Sequence, residues 1–463
     1  MSAPATMRSI FFGPLKLHLR QDPDGRGTLV INAAAVLYLD KVAVRFFEAF
    51  ADAWLETGVW STGAAAVPDM PPKVIDRVAR TIAKHYRVTP ARAKADWEDL
   101  WARVLAVAGG GACPFSDVGV GRVDPFSIEA SAPYRVDLAL TYRCNNNCPH
   151  CYAGGPHQTA ELDTAAWQKV IEKLAAFQVP NIVFTGGEAT LRPDLPELVA
   201  HAQAQGVVTG LITNGRLLTR EMVDRLAGAG LDYVQITLES VDPDIHNAMS
   251  GGGSAANRPS GEHRDAWQET VAGIRNCSGR IFTSTNTTLT KANAHTALDT
   301  ARFLKELGVA RFGMNAVIRA GRGKDTDEAL PVEEVEAILE DVTAFAHEMD
   351  FPFLWFTPTC YHVLNPVGLG LGVKACSAAS TVLAVEPDGA VMPCQSFFQS
   401  LGNAVTDSFE AMWQSELAVS LRRRQRLPAK CTGCEELHVC GGGCPLEEEG
   451  LYQGAGEPHL CRT

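Results

Sequence analysis

Over residues 9–108 the apolar positions change period. SIFFGPLKLHLR and then GTLVINAAAVLYLD run as short extended segments around turns, while VAVRFFEAFADAWL, PPKVIDRVARTIAKHY and ARAKADWEDLWARVLAV repeat their apolar positions at helical spacing. This pattern predicts a small α+β module over residues 1–108. The stretch GGGACPFSDVGVGRVDPFSIEASAP, within 109–133, is rich in Gly, Ser and Pro, has no apolar period and reads as a linker that includes Cys113. From 134 to 350 short β-rich runs (YRVDLALTY, NIVFTGGE, TGLITNG, YVQITLES, IFTSTNTTL, RFGMNAV) alternate with helical runs. In DTAAWQKVIEKLAAFQ, for example, Trp167, Val170, Ile171 and Leu174 recur at i, i+3, i+4 and i+7. GGGSAANRPSGEHR, residues 251–264, is too polar and Gly-rich for either element and is expected as a surface loop. Beyond 351 the helical period fades, except in DSFEAMWQSELAVSLRRR, and cysteine density rises.

Six successive βα units imply an α/β fold with a parallel sheet and right-handed crossovers, and six suit a partial barrel better than a closed one of eight. Reactive groups then belong at the C-terminal ends of the strands. The length, 463 residues, fits roughly three domains of about 150 residues. With 41 basic against 53 acidic side chains, the net charge of −12 argues against a nucleic-acid or anionic-membrane binder. No apolar run is long enough to span a bilayer and the N-terminus has no export signal, so a cytoplasmic location is expected. In that compartment thirteen cysteines do not read as a disulfide framework, and two groups of them, Cys144 to Cys151 and Cys376 to Cys461, read as metal sites.

Cys144, Cys148 and Cys151 fall in a loop just after the first barrel strand, in LALTYRCNNNCPHCYAGG. Three thiolates so spaced suit three irons of a 4Fe–4S cube whose fourth iron stays open to a small molecule. A structural zinc loop is the alternative, but zinc prefers four ligands, and His150 is too close to Cys151 in sequence to converge on the same ion. A CxxxCxxC loop after the first strand of a (β/α) series resembles the radical SAM superfamily over about residues 134–350. The resemblance implies that the open iron chelates S-adenosylmethionine and that electron transfer into the sulfonium produces a 5′-deoxyadenosyl radical. FTGGEATLRPD, one unit later, matches the family's GGE, with Ala189 where Pro is usual. Gly186 and Gly187 are expected to let the backbone come close to the methionine, and Glu188 or neighbouring carbonyls to accept from its ammonium. By similar position Thr237 and Asn286 are candidate cofactor ligands, or else ordinary strand-end polar residues.

Cys376, twelve residues, Gly389, four residues, Cys394, then CxxCxxxxxCxxxC from Cys431 through Cys434 and Cys440 to Cys444, and finally Cys461, resemble the SPASM extension. That likeness implies two auxiliary clusters, expected as 4Fe–4S: Cys376, Cys394 and Cys444 for the first, and Cys431, Cys434, Cys440 and Cys461 for the second. Cys360 is the candidate for the first cluster's missing ligand, with a substrate group or water as the alternative; a zinc ribbon on Cys431–Cys444 would leave the other cysteines unexplained. Cys277 reads as a small buried hydrophobe. Gln395 stands where SPASM-type sulfatase-maturating enzymes carry a catalytic aspartate. Tyr361 and His362 are candidates for handling the proton instead, with a packed, satisfied pair as the alternative.

The N-terminal module, through LVINAAAVLYLDKVAVRFFEAF and KHYRVTPARAKADWEDLWARV, resembles the PqqD-like leader-recognition domain, a winged-helix-like fold. A leader strand would add to a sheet edge near Gly27–Ile31. The combination implies a peptide maturase that crosslinks a ribosomally made precursor through C–C or C–S bonds, reduced by a flavodoxin or ferredoxin. Maturation of a protein, cofactor or haem precursor is a second reading, and an iron–sulfur redox sensor or electron carrier is a third.

Overall fold

The computed structural model describes residues 6–12, 15–22, 24–31, 35–57, 67–108, 130–154, 160–251, 265–425, 427 and 431–446. Cys113 and Cys461 lie outside these residues, as do all but four residues of the expected 109–133 linker and nearly all of the 251–264 loop. The chain divides into two compact units, one built on residues 1–123 and the other holding most of the rest.

In the first unit the strands β1 (Thr6–Phe12), β2 (Leu15–Gln21), β3 (Gly27–Ile31) and β4 (Ala35–Leu39) form an antiparallel sheet in chain order, followed by the helices α1 (Lys41–Leu55), α2 (Pro72–Tyr86) and α3 (Pro90–Ala108). Asp40 starts α1 by accepting the Ala43 N–H at 2.7 Å, which satisfies one of the helix's free donors. The α1 positions Val44, Phe47, Phe50 and Trp54 are buried at helical spacing, and the rings of the last three meet Phe12, Trp97 and Trp101. One expectation is corrected here. Gly27–Ile31 is not an edge: β3 pairs with β2 on one side and β4 on the other, and all five of its residues are buried. The edges of this sheet are β1 and β4.

All six expected strands appear in the second unit: β5 (Arg135–Ala139), β6 (Asn181–Thr185), β7 (Val208–Thr213), β8 (Tyr233–Thr237), β9 (Phe282–Leu289) and β10 (Arg311–Ala316). Each of these strands, save the last, is followed by at least one α-helix before the next, and the ladders between them are parallel wherever the register is resolved. The helix Thr164–Ala176 buries Trp167, Val170, Ile171 and Leu174 against the sheet, as its period requires.

The sheet continues past both ends of this series. β11 (Phe353–Trp355) pairs with β10, while β12 (Val382–Val385) runs parallel to β5 and leads into β13 (Ala390–Met392) and β14 (Gly402–Asn403). The order is β11-β10-β9-β8-β7-β6-β5-β12-β13-β14, so the sheet is open, with β11 and β14 at its two ends. The C-terminal segment is therefore an extension of the barrel sheet. DSFEAMWQSELAVSLRRR forms two short helices, Phe409–Trp413 and Glu416–Arg422, because Ser415 ends one run and caps the next. No helix among the described residues is long and apolar enough to cross a membrane.

Candidate active site at the strand C-termini

The loop that leaves β5 carries Cys144, Cys148 and Cys151, and the segments that leave the next strands fasten it in place. Gly187 donates its N–H to Thr141 O (2.7 Å) and Glu188 to Arg143 O (2.9 Å). A Cβ on Gly186, whose φ is +139°, would lie 2.2 Å from Thr141 O, and one on Gly187 would lie 2.6 Å from Tyr142 O and Arg143 O. Both glycines thus serve a close backbone approach between GGE and the cysteine loop, a contact the sequence could not display. Glu188 is 1% exposed. Its Oε1 accepts from Thr190 N (3.0 Å), Thr190 Oγ1 (2.5 Å) and Thr213 Oγ1 (2.7 Å), and its Oε2 from Asn214 N (2.8 Å). The carboxylate therefore ties the end of β6 to the end of β7.

Sequence reasoning missed the next residues, whose only signal was the polar TNGR and ES following buried strands. Asn214 Nδ2 donates to Asn145 Oδ1 (2.6 Å) and lies 3.9 Å from Cys144 Sγ. Arg216, buried and paired with Glu269 (2.7 Å), donates to Asn145 O (2.8 Å) and Asn146 Oδ1 (2.6 Å). After β8, Glu239 Oε1 meets His150 Nε2 at 3.0 Å, and its Oε2 accepts from Thr288 N at 2.8 Å. His150 is thereby docked on a carboxylate across the barrel mouth. After β10, Arg322 N donates to Cys151 O (3.0 Å) and Arg322 Nε to Cys148 O (2.8 Å).

The three thiols are electrostatic neighbours, with Cys144 and Cys151 each acting on Cys148. Burial, with Glu188 adding to it, pushes the Cys144 thiol up to about 12, and burial also raises Cys148 and Cys151. Such thiols stay protonated until a cation displaces the proton, as cluster ligands do. Among the described residues no three His, Cys, Asp or Glu side chains converge on a single ion. Three thiols held on one backbone cradle, each free to take its own iron, fit a cube.

Thr237 and Asn286 share a rung between β8 and β9. Asn286 Nδ2 donates to Asn315 Oδ1 (2.6 Å), which leaves its buried Oδ1 without a partner. Of the C-terminal cysteines, Cys376 acts electrostatically on Cys394, and burial pushes Cys394 up to about 12. Cys431, Cys434, Cys440 and Cys444 occupy a turn-rich knot with Gly441, Gly442 and Gly443 all at positive φ. The Cys360 segment touches this knot: Cys440 Sγ lies 3.5 Å from Thr359 O, and His362 Nε2 lies 3.3 Å from Cys434 Sγ. Tyr361 is the packed, satisfied residue of the two alternatives, its hydroxyl accepting from Lys374 N (2.8 Å) and donating to Lys374 O (3.3 Å). Cys277 closes the helix Ala266–Cys277 and is fully buried, with its thiol pushed up to about 12.

Family models match this chain as the radical SAM superfamily over residues 138–304 and as an iron–sulfur cluster-binding domain over residues 376–435. Fe-coproporphyrin III synthase of Methanosarcina barkeri is 31% identical over 358 residues, covering 68% of this chain and 83% of the relative. Mycofactocin maturase MftC of Mycobacterium ulcerans is 28% identical over 362 residues, covering 73% and 93%. Among solved structures, Streptococcus suis SuiB bound to precursor peptide SuiA shares the fold with a TM-score of 0.61 at 15% identity, over 91% of this chain and 93% of SuiB. Likeness of this extent, on a chain whose strand ends clamp a three-cysteine loop, places it in the radical SAM superfamily, with a 4Fe–4S cluster, S-adenosylmethionine and auxiliary iron–sulfur clusters as its cofactors.

Proposed function

We propose that this chain matures a ribosomally synthesised precursor peptide, forming an oxidative C–C or C–S crosslink in its core while the N-terminal unit holds its leader. The cofactors supply hydrogen abstraction from an unactivated carbon. The chain's own residues fix the geometry: Glu188, Asn214 and Arg216 hold the cysteine loop rigid, the carbonyls around Gly186 and Gly187 face the cofactor's ammonium, and Thr237 and the unpartnered Asn286 Oδ1 accept from its other polar groups. Cys360 is the fourth ligand of the first auxiliary cluster, and Cys461 completes the second. His362, beside Cys434, bears on the auxiliary side, with Tyr361 packed next to it. Reduction comes from a flavodoxin- or ferredoxin-type donor in the cytoplasm.

The observation that carries the peptide reading is the N-terminal antiparallel sheet, whose outer strand β4 has a partner strand on one side only among the described residues, so that an extended segment could pair with the other. A relative named as a maturase and a similar fold seen with a precursor peptide support it. The test is amide hydrogen exchange on the whole protein, with and without the peptides encoded beside its gene. A bound leader should slow exchange at Ala35–Leu39, and unchanged exchange with every such peptide would remove this reading. The 31% identity to Fe-coproporphyrin III synthase favours a second reading, action on an iron porphyrin. In that case porphyrin, and no peptide, should stimulate 5′-deoxyadenosine formation.

A further inference from the structure

Several arginines of the second unit are matched to acids, whereas buried Arg422 is held by the carbonyls of Ala379 and Trp413. Arg135 grips Asp137 with two hydrogen bonds (2.5 and 2.9 Å), Arg192 holds Asp194 (2.7 Å) and Arg216 holds Glu269 (2.7 Å). Arg311, which opens β10, has no carboxylate. It makes no hydrogen bond or ion pair with any described residue, and its Nε is buried. Its guanidinium lies 5.1 Å from the centre of the Phe282 ring, at the start of the neighbouring strand. The charged or ionisable groups acting on it are Tyr233 and a second cation, Arg135, whose charge Asp137 already balances.

Alternation along the ladder puts Arg311 on the face of β10 that carries Asn315, opposite the face where Phe312 stacks on Phe351 and Phe353. Asn315 is bonded to Asn286 on the inner face, so Arg311 points into the barrel. A second orphan borders the same interior. Gln395 accepts from the Tyr152 hydroxyl, and Tyr152 is an electrostatic neighbour of Arg135 and Asp137, yet the Gln395 Nε2 is buried and has no partner. A desolvated guanidinium without an acid is costly, and a planar carboxylate is the group that matches its fork. Burial and the repulsion of Arg135 both act to lower the pKa of Arg311, the direction expected of a cation awaiting its counter-ion.

We propose that Arg311 anchors a carboxylate of the substrate inside the barrel. The inference rests on the reading above that a substrate enters this barrel, and it names the group by which the substrate is held: an acidic side chain of a peptide, or a propionate if the substrate is a porphyrin.

The test is calorimetric titration of the reconstituted holoenzyme with acetyl-Ala-Glu-Ala-amide, its glutamine counterpart and coproporphyrin III. Wild type should bind the glutamate peptide roughly tenfold more tightly than the glutamine peptide. Arg311→Gln should erase that preference, and Arg311→Lys should retain part of it; iron content and thermal melting verify that each variant is folded. If instead only coproporphyrin III binds, and Arg311→Gln weakens it, the anchor stands and the peptide reading falls. Equal affinity for the two peptides together with porphyrin binding that Arg311→Gln leaves unchanged, or no binding of any of the three, would overturn the anchor.

Discussion

Glu188 sits one residue past the two glycines that touch the cysteine loop, and four donors from three different residues occupy its carboxylate. Glu188→Gln presents an NH2 group to donors and leaves at least one of them unmatched in a buried site, at a cost of about 1–3 kcal/mol. The variant should melt earlier and retain less iron after reconstitution. The motif was legible in sequence, but this use of the side chain was not, because Thr213 and Asn214 come one βα unit later. His246 offers a pH test at the same scale. Burial drives its imidazole down to about 4 from 6.5, and its Nδ1 accepts the Glu239 N–H at 3.1 Å. On acidification the unfolded chain takes up this proton first, so the contribution of His246 is complete above about pH 6.5 and is lost as the pH falls towards 4. Denaturation at pH 7 and pH 5 should show a drop in stability that His246→Gln reduces, by roughly 2 kcal/mol at most.

Among the elements, the strand ends carry the chemistry and the turns after them carry the constraint. Gly186→Ala puts a methyl 2.2 Å from Thr141 O at a φ of +139°, so the GGE turn and the cysteine loop must separate. The expected penalty exceeds about 1 kcal/mol, and reconstituted protein should lose iron from the first cluster together with 5′-deoxyadenosine formation. Arg216→Lys keeps the charge but cannot span Asn145 O, Asn146 Oδ1 and Glu269 at once, so it should lower cluster retention, read as iron per chain. The strands β5 to β10 were legible because each is a short run of apolar or β-branched residues set between helical periods, β9 with its repeated Thr included. The edge assigned to Gly27–Ile31 failed for a physical reason visible in the same residues: Leu29, Val30 and Ile31 form an unbroken apolar run, as suits a strand paired on both sides, whereas Tyr38 on β4 is 72% exposed.

At the scale of the molecule, the C-terminal cysteine segment adds its strands to the barrel sheet through β12 and β5. One consequence is a hydrogen bond from Tyr152, next to Cys151, to Gln395, next to Cys394, which joins the two cluster-bearing loops. With the Cys360 segment packed against the Cys431–Cys444 knot, Cys360→Ser should alter the electron paramagnetic resonance signal of an auxiliary cluster while leaving reductive cleavage of S-adenosylmethionine measurable. Replacing Cys144, Cys148 and Cys151 together by Ala should abolish that cleavage, measured as 5′-deoxyadenosine.

Cysteine spacing and apolar period were legible in the sequence by itself, the first pointing to the radical SAM and SPASM families and the second to the strand runs, since both are local and survive in one dimension. The GGE motif was legible too, but its packing against the cysteine loop was not, because a whole βα unit separates them in sequence. Tertiary structure alone decided what fastens that loop, because Asn214, Arg216, Glu239 and Arg322 reach it from three different strand ends. It also decided that Arg311 would lie over the Phe282 ring with no described carboxylate beside it. Charge compensation in a barrel depends on which side chains share its interior, and no spacing along the chain encodes that.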